Sequence, residues 1–203
     1  MSKSTHPESL MMSHGYNPEW SEGSIKTPIF QTSTFVFKTA EEGKRFFEVV
    51  TGKRTLPQGE SNGLIYSRFN NPNLEIVECR LAAYEKGAED ACVFESGMAA
   101  ISTVLLEFLR PGDVVLHSNP LYGGTDTFFK SILSRYQIHS QGFMPWDKEE
   151  DILQAIDQAG IRDQIAVLFV ETPANPNNVL IDMEMCVRIA QRLSTKDRKV
   201  LVV

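Results

Sequence analysis

The sequence has 203 residues and a net charge of −6, and is 42% hydrophobic, 23% charged and 9% aromatic. That is an ordinary globular composition, with room for one sizeable domain or two small ones. Lysine and arginine are scattered among acidic residues, which argues against a nucleic-acid surface, since that needs clustered cations to displace counterions. No apolar run approaches the ~20 residues of a bilayer span. Met1 to Asn17 lacks the basic-then-apolar layout of a secretory signal. Neither nucleic acid nor membrane is expected as a partner, and the expected location is the cytoplasm. Cys79, Cys92 and Cys186 stand far apart and fit neither a disulfide framework nor a zinc site. No metal is expected, and Cys92, inside an apolar run, reads as a small core residue.

In chain order, residues 1–20 read as a loose arm punctuated by Pro7, Gly15 and Pro18. Residues 51–63 are rich in Gly, Thr, Ser and Asn and read as an exposed loop. Leu74, Val77, Leu81 and Tyr84 recur at three- and four-residue spacing, which predicts a helix with that face buried. Ala91-Cys92-Val93-Phe94 is expected as a buried strand and Met98–Leu109 as a helix, stopped by Arg110-Pro111-Gly112-Asp113. Then follow a strand at Val114–Leu116, a helix at Thr125–Arg135, a weaker strand at Ile138–Phe143 and a helix at Glu149–Ala159 ended by Gly160. The strongest strand pattern is Ile165–Val170. Asp182 is placed to cap a helix from Met183 to about Leu193, and the chain stops within an apolar run at 199–203. Strand–helix alternation of this kind predicts an α/β domain with a mostly parallel sheet, and the ending inside a strand leads us to expect a truncated domain.

Four stretches could carry chemistry. Phe94-Glu95-Ser96-Gly97-Met98 leads from a strand into a helix. Ser96 can cap that helix, and the exposed amides after it suit a phosphate; the plainer reading is an ordinary cap with a turn glycine. Tyr66-Ser67-Arg68 offers a guanidinium fork and a hydroxyl suited to phosphate oxygens, or only a solvated arginine beside a half-buried tyrosine. Tyr122-Gly123-Gly124-Thr125 follows a strand and opens a helix, where α/β folds bind ligands, although a tyrosine packed on a Gly-Gly turn is an equal reading. Glu171-Thr172-Pro173-Ala174-Asn175-Pro176 ends the strongest strand in a stiff loop that could hold a carboxylate and an amide toward a ligand, or serve structure alone.

Taken together and in order, these stretches, with Thr27–Phe35 before them, resemble the Cys/Met-metabolism family of pyridoxal-phosphate enzymes, the group of cystathionine gamma-synthase, cystathionine lyases, methionine gamma-lyase and O-acylhomoserine sulfhydrylases. The resemblance runs from about Ser13 to Val203. It implies the aspartate-aminotransferase-type fold (fold type I), with residues 1–64 as an arm and loop region making dimer contacts and residues 65–203 as the first part of the large cofactor domain. It implies pyridoxal 5'-phosphate as cofactor. The chemistry would be elimination or replacement at the β or γ carbon of a small amino-acid substrate of the cysteine, methionine, cystathionine or O-acylhomoserine type. The roles it implies place the cofactor phosphate on Ser96, Gly97 and Met98, and Tyr66 and Arg68 on the phosphate of a neighbouring subunit. Tyr122 stacks on the pyridine ring and assists departure of the leaving group, Asn175 bonds the ring's phenolic oxygen and Glu171 orders the site. A homodimer sharing active sites, assembled into a tetramer, is the implied partner state.

Two family positions have no counterpart in the chain: the aspartate beside the pyridine nitrogen and the cofactor-binding lysine of a Ser-x-Thr-Lys stretch. Ser194-Thr195-Lys196 lacks the intervening residue and follows an amphipathic helix in a polar connector, so Lys196 is not expected to be catalytic. The 51–63 loop is longer than the family's, and Asn73 stands where the family commonly has Thr. A chain without that lysine could instead be a non-catalytic remnant or assembly partner. A general aminotransferase fits the Tyr-Ser-Arg and Tyr-Gly-Gly-Thr stretches less well.

Overall fold

The structure, a computed structural model, describes residues 6–57 and 60–203. The first five residues of the expected arm, and Gln58 and Gly59 of the expected loop, lie outside the described residues. The chain forms two compact units that meet at Val93 and Phe94 in sequence.

The second unit is built on four parallel strands, β1 (Val114–Ser118), β2 (His139–Phe143), β3 (Ile165–Phe169) and β4 (Leu201–Val202), in the order β2-β1-β3-β4. β1 and β3 are buried along their whole length, as strands of a sheet covered on both faces must be. One face carries α6 (Glu149–Ala159) and α7 (Met183–Leu193), whose Ile152, Ile156, Met185 and Ile189 pack with Val114, Leu116 and Leu168. The other carries α4 (Gly97–Phe108) and the helical segment after β1, whose Leu105, Phe129 and Leu133 pack with Val115 and Val167. The β1–β3 register slips between Val114 and Val115, which pair with Ile165 and Val167. The extra residue, Ala166, is a β-bulge, and it explains why Ala166 and Val167 both face the same layer.

Helix limits follow local chemistry. The Asp182 carboxylate accepts from the Met185 amide at 2.9 Å, an N-cap. Gly160, at φ 66°, lets its amide turn back onto the Asp157 carbonyl and ends α6. The segment expected as one helix at Thr125–Arg135 is three windings in succession: α5 (Gly123–Thr127), a π turn (Phe128–Ile132) and a 3-10 turn (Leu133–Tyr136). Apolar residues four apart, Phe129 and Leu133, are compatible with any of these windings, so periodicity could not separate them.

In the first unit, α1 (Pro7–Ser13) and a 3-10 turn (Pro18–Ser21) occupy the stretch expected as a loose arm. α2 (Ala40–Val50) follows, and then α3 (Pro72–Tyr84). The helix expected from Leu74, Val77, Leu81 and Tyr84 is present, but that face is 40–46% exposed. The buried stripe is the one through Pro72 and Ile76. It is held by Arg80 Nε donating to the His14 carbonyl and by Gly15, where a Cβ would stand 3.0 Å from that of Cys79. Ala91–Phe94 is not a strand and Cys92 is exposed. The Ala91 and Val93 amides are taken by the carboxylates of Asp90 and Glu78 rather than by a neighbouring strand. Among the described residues no helix is long and apolar enough to cross a membrane.

Asp182→Ala removes the cap of a helix that covers one sheet face. It should lower unfolding stability by about 1 kcal/mol, read from the urea midpoint at unchanged slope; an unchanged midpoint would mean the cap contributes nothing.

Candidate functional site at the ends of β1 and β3

β1 and β3 are neighbours, yet their following helices leave to opposite faces of the sheet, the segment after β1 to the Phe129 side and α7 to the Ile189 side. The divergence opens a crevice beyond the carboxyl ends of the two strands, the position where open α/β sheets bind ligands. Most of the residues singled out from sequence in this unit converge there.

The Glu171 backbone amide donates to Oγ of fully buried Ser118, the last residue of β1, at 3.1 Å. The Glu171 carboxylate reaches across to the helix after β1. Oε2 accepts from the Tyr122 amide at 2.5 Å, and Oε1 accepts from Thr125 Oγ1 at 2.7 Å. Tyr122 begins α5 without a side-chain cap of its own, so Glu171 supplies the acceptor and the negative charge that a helix start favours. Tyr122 stays 47% exposed. A Cβ on Gly124 would lie 2.6 Å from Tyr122 Cε1 and 3.1 Å from Met98 Sδ, so the glycine is what allows Met98 and Tyr122 to stand side by side.

At the start of α4, Ser96 Oγ accepts from the Ala99 amide at 3.1 Å. The amides of Gly97 and Met98 have no partner among the described residues. A Cβ on Gly97 would meet nothing within 4 Å, so the helix start is open. Free amides, the positive end of the helix dipole and unobstructed space fit a phosphate group. Asn175 is exposed, and its side chain has no hydrogen bond among the described residues. Its loop is held by the Ala174 amide on the Val179 carbonyl and the Ile181 amide on Thr172 Oγ1. These features fit the parts of pyridoxal phosphate: amides for its phosphate, an exposed ring for its pyridine and a free amide for a ring oxygen.

Tyr66 and Arg68 lie in the first unit. Tyr66 bridges to Thr34, and a tight turn through Ser67 and Arg68 closes with the Phe69 amide on the Tyr66 carbonyl at 2.9 Å. Lys196 sits in an exposed turn before β4, where Thr195 and Arg198 bond each other. In a parallel sheet that is the amino-end edge, opposite Ser118 and Glu171, and Lys196 is not brought to the crevice. Sequence alone gives Ser118 and Thr125 no role, although a serine ending a strand and the threonine closing Tyr-Gly-Gly-Thr were the available signals.

His117, on β1 beside Ser118, is buried, with Nδ1–H donating to the Ser118 carbonyl at 3.0 Å and its ring edge-on to Phe129. Burial holds the imidazole below its ordinary value, outweighing the Ser118 bond and the carboxylates of Asp126 and Glu171, which favour the charged form; Lys130 adds to the lowering. A depressed histidine contributes fully to stability above its ordinary value of 6.5, and that contribution is lost as the pH falls below it toward the folded-state value. The urea midpoint should therefore drop as the pH falls below 6.5, and His117→Gln should flatten that drop. Equal pH dependence in the two proteins would show that His117 is not responsible.

L-methionine gamma-lyase of Pseudomonas putida is 36% identical over 179 residues, covering 88% of this chain and 41% of that protein. L-methionine gamma-lyase of Porphyromonas gingivalis is 38% identical with the same coverage. A crystal structure assigned as an O-acetylhomoserine (thiol)-lyase from Campylobacter jejuni, containing N'-pyridoxyl-lysine-5'-monophosphate, superposes with a TM-score of 0.76 at 28% identity, covering 97% of this chain and 44% of that one. The chain thus spans about two fifths of the length of the relatives it matches. With residues 8–203 matching the family as a whole, the chain belongs to the Cys/Met metabolism PLP-dependent enzymes.

Proposed function

We propose that the protein acts in elimination or replacement at the γ carbon of a sulfur-containing or O-acylated homoserine-type amino acid, with pyridoxal 5'-phosphate as cofactor. The observation that carries the reading is the Glu171 carboxylate joining the end of β3 to Tyr122 and Thr125, which fixes an exposed tyrosine ring beside an open helix start. The named relatives, methionine gamma-lyases and an O-acetylhomoserine (thiol)-lyase, support the substrate class.

In this reading the amides of Gly97 and Met98 bind the cofactor phosphate, with Ser96 holding the helix start in shape. The Tyr122 ring packs on the pyridine, and its hydroxyl moves a proton at the departing sulfur or oxygen. The Asn175 amide donates to the phenolic oxygen. Glu171 keeps Tyr122 in position rather than reacting. Pyridoxal phosphate, when bound, supplies the electron sink for carbanion chemistry. Tyr66 and Arg68 serve the phosphate of a neighbouring subunit, residues 1–64 make contacts between subunits, and the assembly is a homodimer or a tetramer of paired dimers in the cytoplasm.

In the full-length gene product, Tyr122→Phe should cut turnover of L-methionine or of O-acetylhomoserine plus sulfide by about 10²–10⁴-fold, because the ring still packs and only the hydroxyl's acid–base role is lost. Cofactor affinity should change little. Unchanged turnover would make Tyr122 a packing residue, and absence of activity on every C–S and C–O substrate of this class would remove the proposed reaction. After borohydride treatment with cofactor, Lys196 should remain unlabelled.

A further inference from the structure

Among the described residues, Arg68 and Arg135 are the arginines whose side chains have neither a hydrogen bond nor an ion pair. The others reach carboxylates or backbone carbonyls. Arg68 is nonetheless not loose. Its guanidinium carbon lies 5.4 Å from the centroid of the Tyr66 ring and 5.1 Å from that of Phe69, both within cation–π range. The turn that sets this up is tied on both sides. The Ser67 amide and Oγ donate to the carbonyls of Ser33 and Thr32, and Asn71 Nδ2 donates to Ser67 Oγ while its Oδ1 caps α3 through the Asn73 amide. Asn70 Nδ2 donates to the Gly63 carbonyl and to Glu75. The backbone from 65 to 71 is thereby fixed, and the rings at both ends of the turn stand against the cation between them. Phe69 itself is 62% exposed, so its ring has little role in a core.

We propose that Phe69 is a positioning residue for anion recognition: with Tyr66 it confines the Arg68 guanidinium by ring contact alone, leaving all five N–H donors free for phosphate oxygens. A carboxylate partner would fix the side chain equally well but would occupy the donors and cancel the charge. Aromatic faces confine the cation without consuming either. The inference rests on the proposed role of Arg68 at a phosphate, and it identifies what holds that arginine ready.

The test follows the Arg68 Nε–Hε signal of the chain by NMR and titrates it with inorganic phosphate, in wild type and in Phe69→Leu, Phe69→Tyr and Arg68→Ala. The wild-type signal should be shifted by ring currents, lose much of that shift in Phe69→Leu and keep it in Phe69→Tyr. Phosphate affinity should fall about two- to fivefold in Phe69→Leu, the size of an exposed cation–π contact, and recover in Phe69→Tyr, while Arg68→Ala falls further. An Arg68 signal that ignores Phe69→Leu, or Phe69→Leu binding phosphate like wild type while Arg68→Ala does not, overturns the positioning role alone. Arg68→Ala binding phosphate like wild type overturns the phosphate role of Arg68 and the inference with it.

Discussion

The site depends on one carboxylate placed at a junction. Glu171 follows a strand that is buried along its length, and its backbone is locked to Ser118 on the neighbouring strand. Its side chain can then do what no residue of the next helix does for itself, accepting from the amide that opens α5 and from Thr125 one turn on. Charge-assisted bonds of this kind are about twice as strong as neutral ones. They act between two elements already fixed by the sheet, so little freedom is lost in making them. What they hold in place is the exposed Tyr122 ring, and the glycine at 124 lets Met98 from the start of α4 come beside it. Three segments distant in sequence are thus tied to one corner of the sheet.

The layering of the sheet explains why the corner is open. The helices following β1 and β3 depart to opposite faces, which clears the space beyond both strand ends. Side chains that would close it are missing or committed elsewhere: Gly97 carries none, Ser96 bonds back into its own helix, and Glu171 is turned toward α5. The groups left at the opening are backbone amides and an aromatic ring, with the exposed Asn175 on the loop that follows β3. That set suits a flat, phosphorylated heterocycle far better than it suits a metal ion, which would need clustered carboxylates, imidazoles or thiolates.

Much of this was legible in the sequence where a single local rule decides the outcome. Asp182 and Gly160 mark helix limits by capping chemistry, and the apolar runs at 114 and 165 have the composition of doubly covered strands. Reading failed where partners lie far away or where two patterns overlap. Ala91–Phe94 has strand composition, but side-chain carboxylates take its amides. α3 has two apolar stripes, and the expected one is the exposed one, because the arm at His14 and Gly15 lies against Ile76, Cys79 and Arg80. α2 went unread although Thr39 and Glu42 carry a capping signature, with Thr39 Oγ1 accepting from the Glu42 amide and Glu42 reaching back to the Lys38 amide. In the site, the motif residues could be named from order and type. The links through Ser118 and Glu171 could not, since they join residues 49 and 53 positions apart.

In the proposed reading, the start of α4 and the Tyr122 corner form one site for a phosphorylated aromatic cofactor. Amide chemical-shift mapping of the chain with pyridoxal 5'-phosphate addresses it most directly. The largest saturable displacements should fall on Gly97 and Met98, accompanied by residues 122–125 and 171–175. Displacements confined to the 194–198 turn, or scattered over exposed lysines with Gly97 and Met98 unmoved, would contradict it.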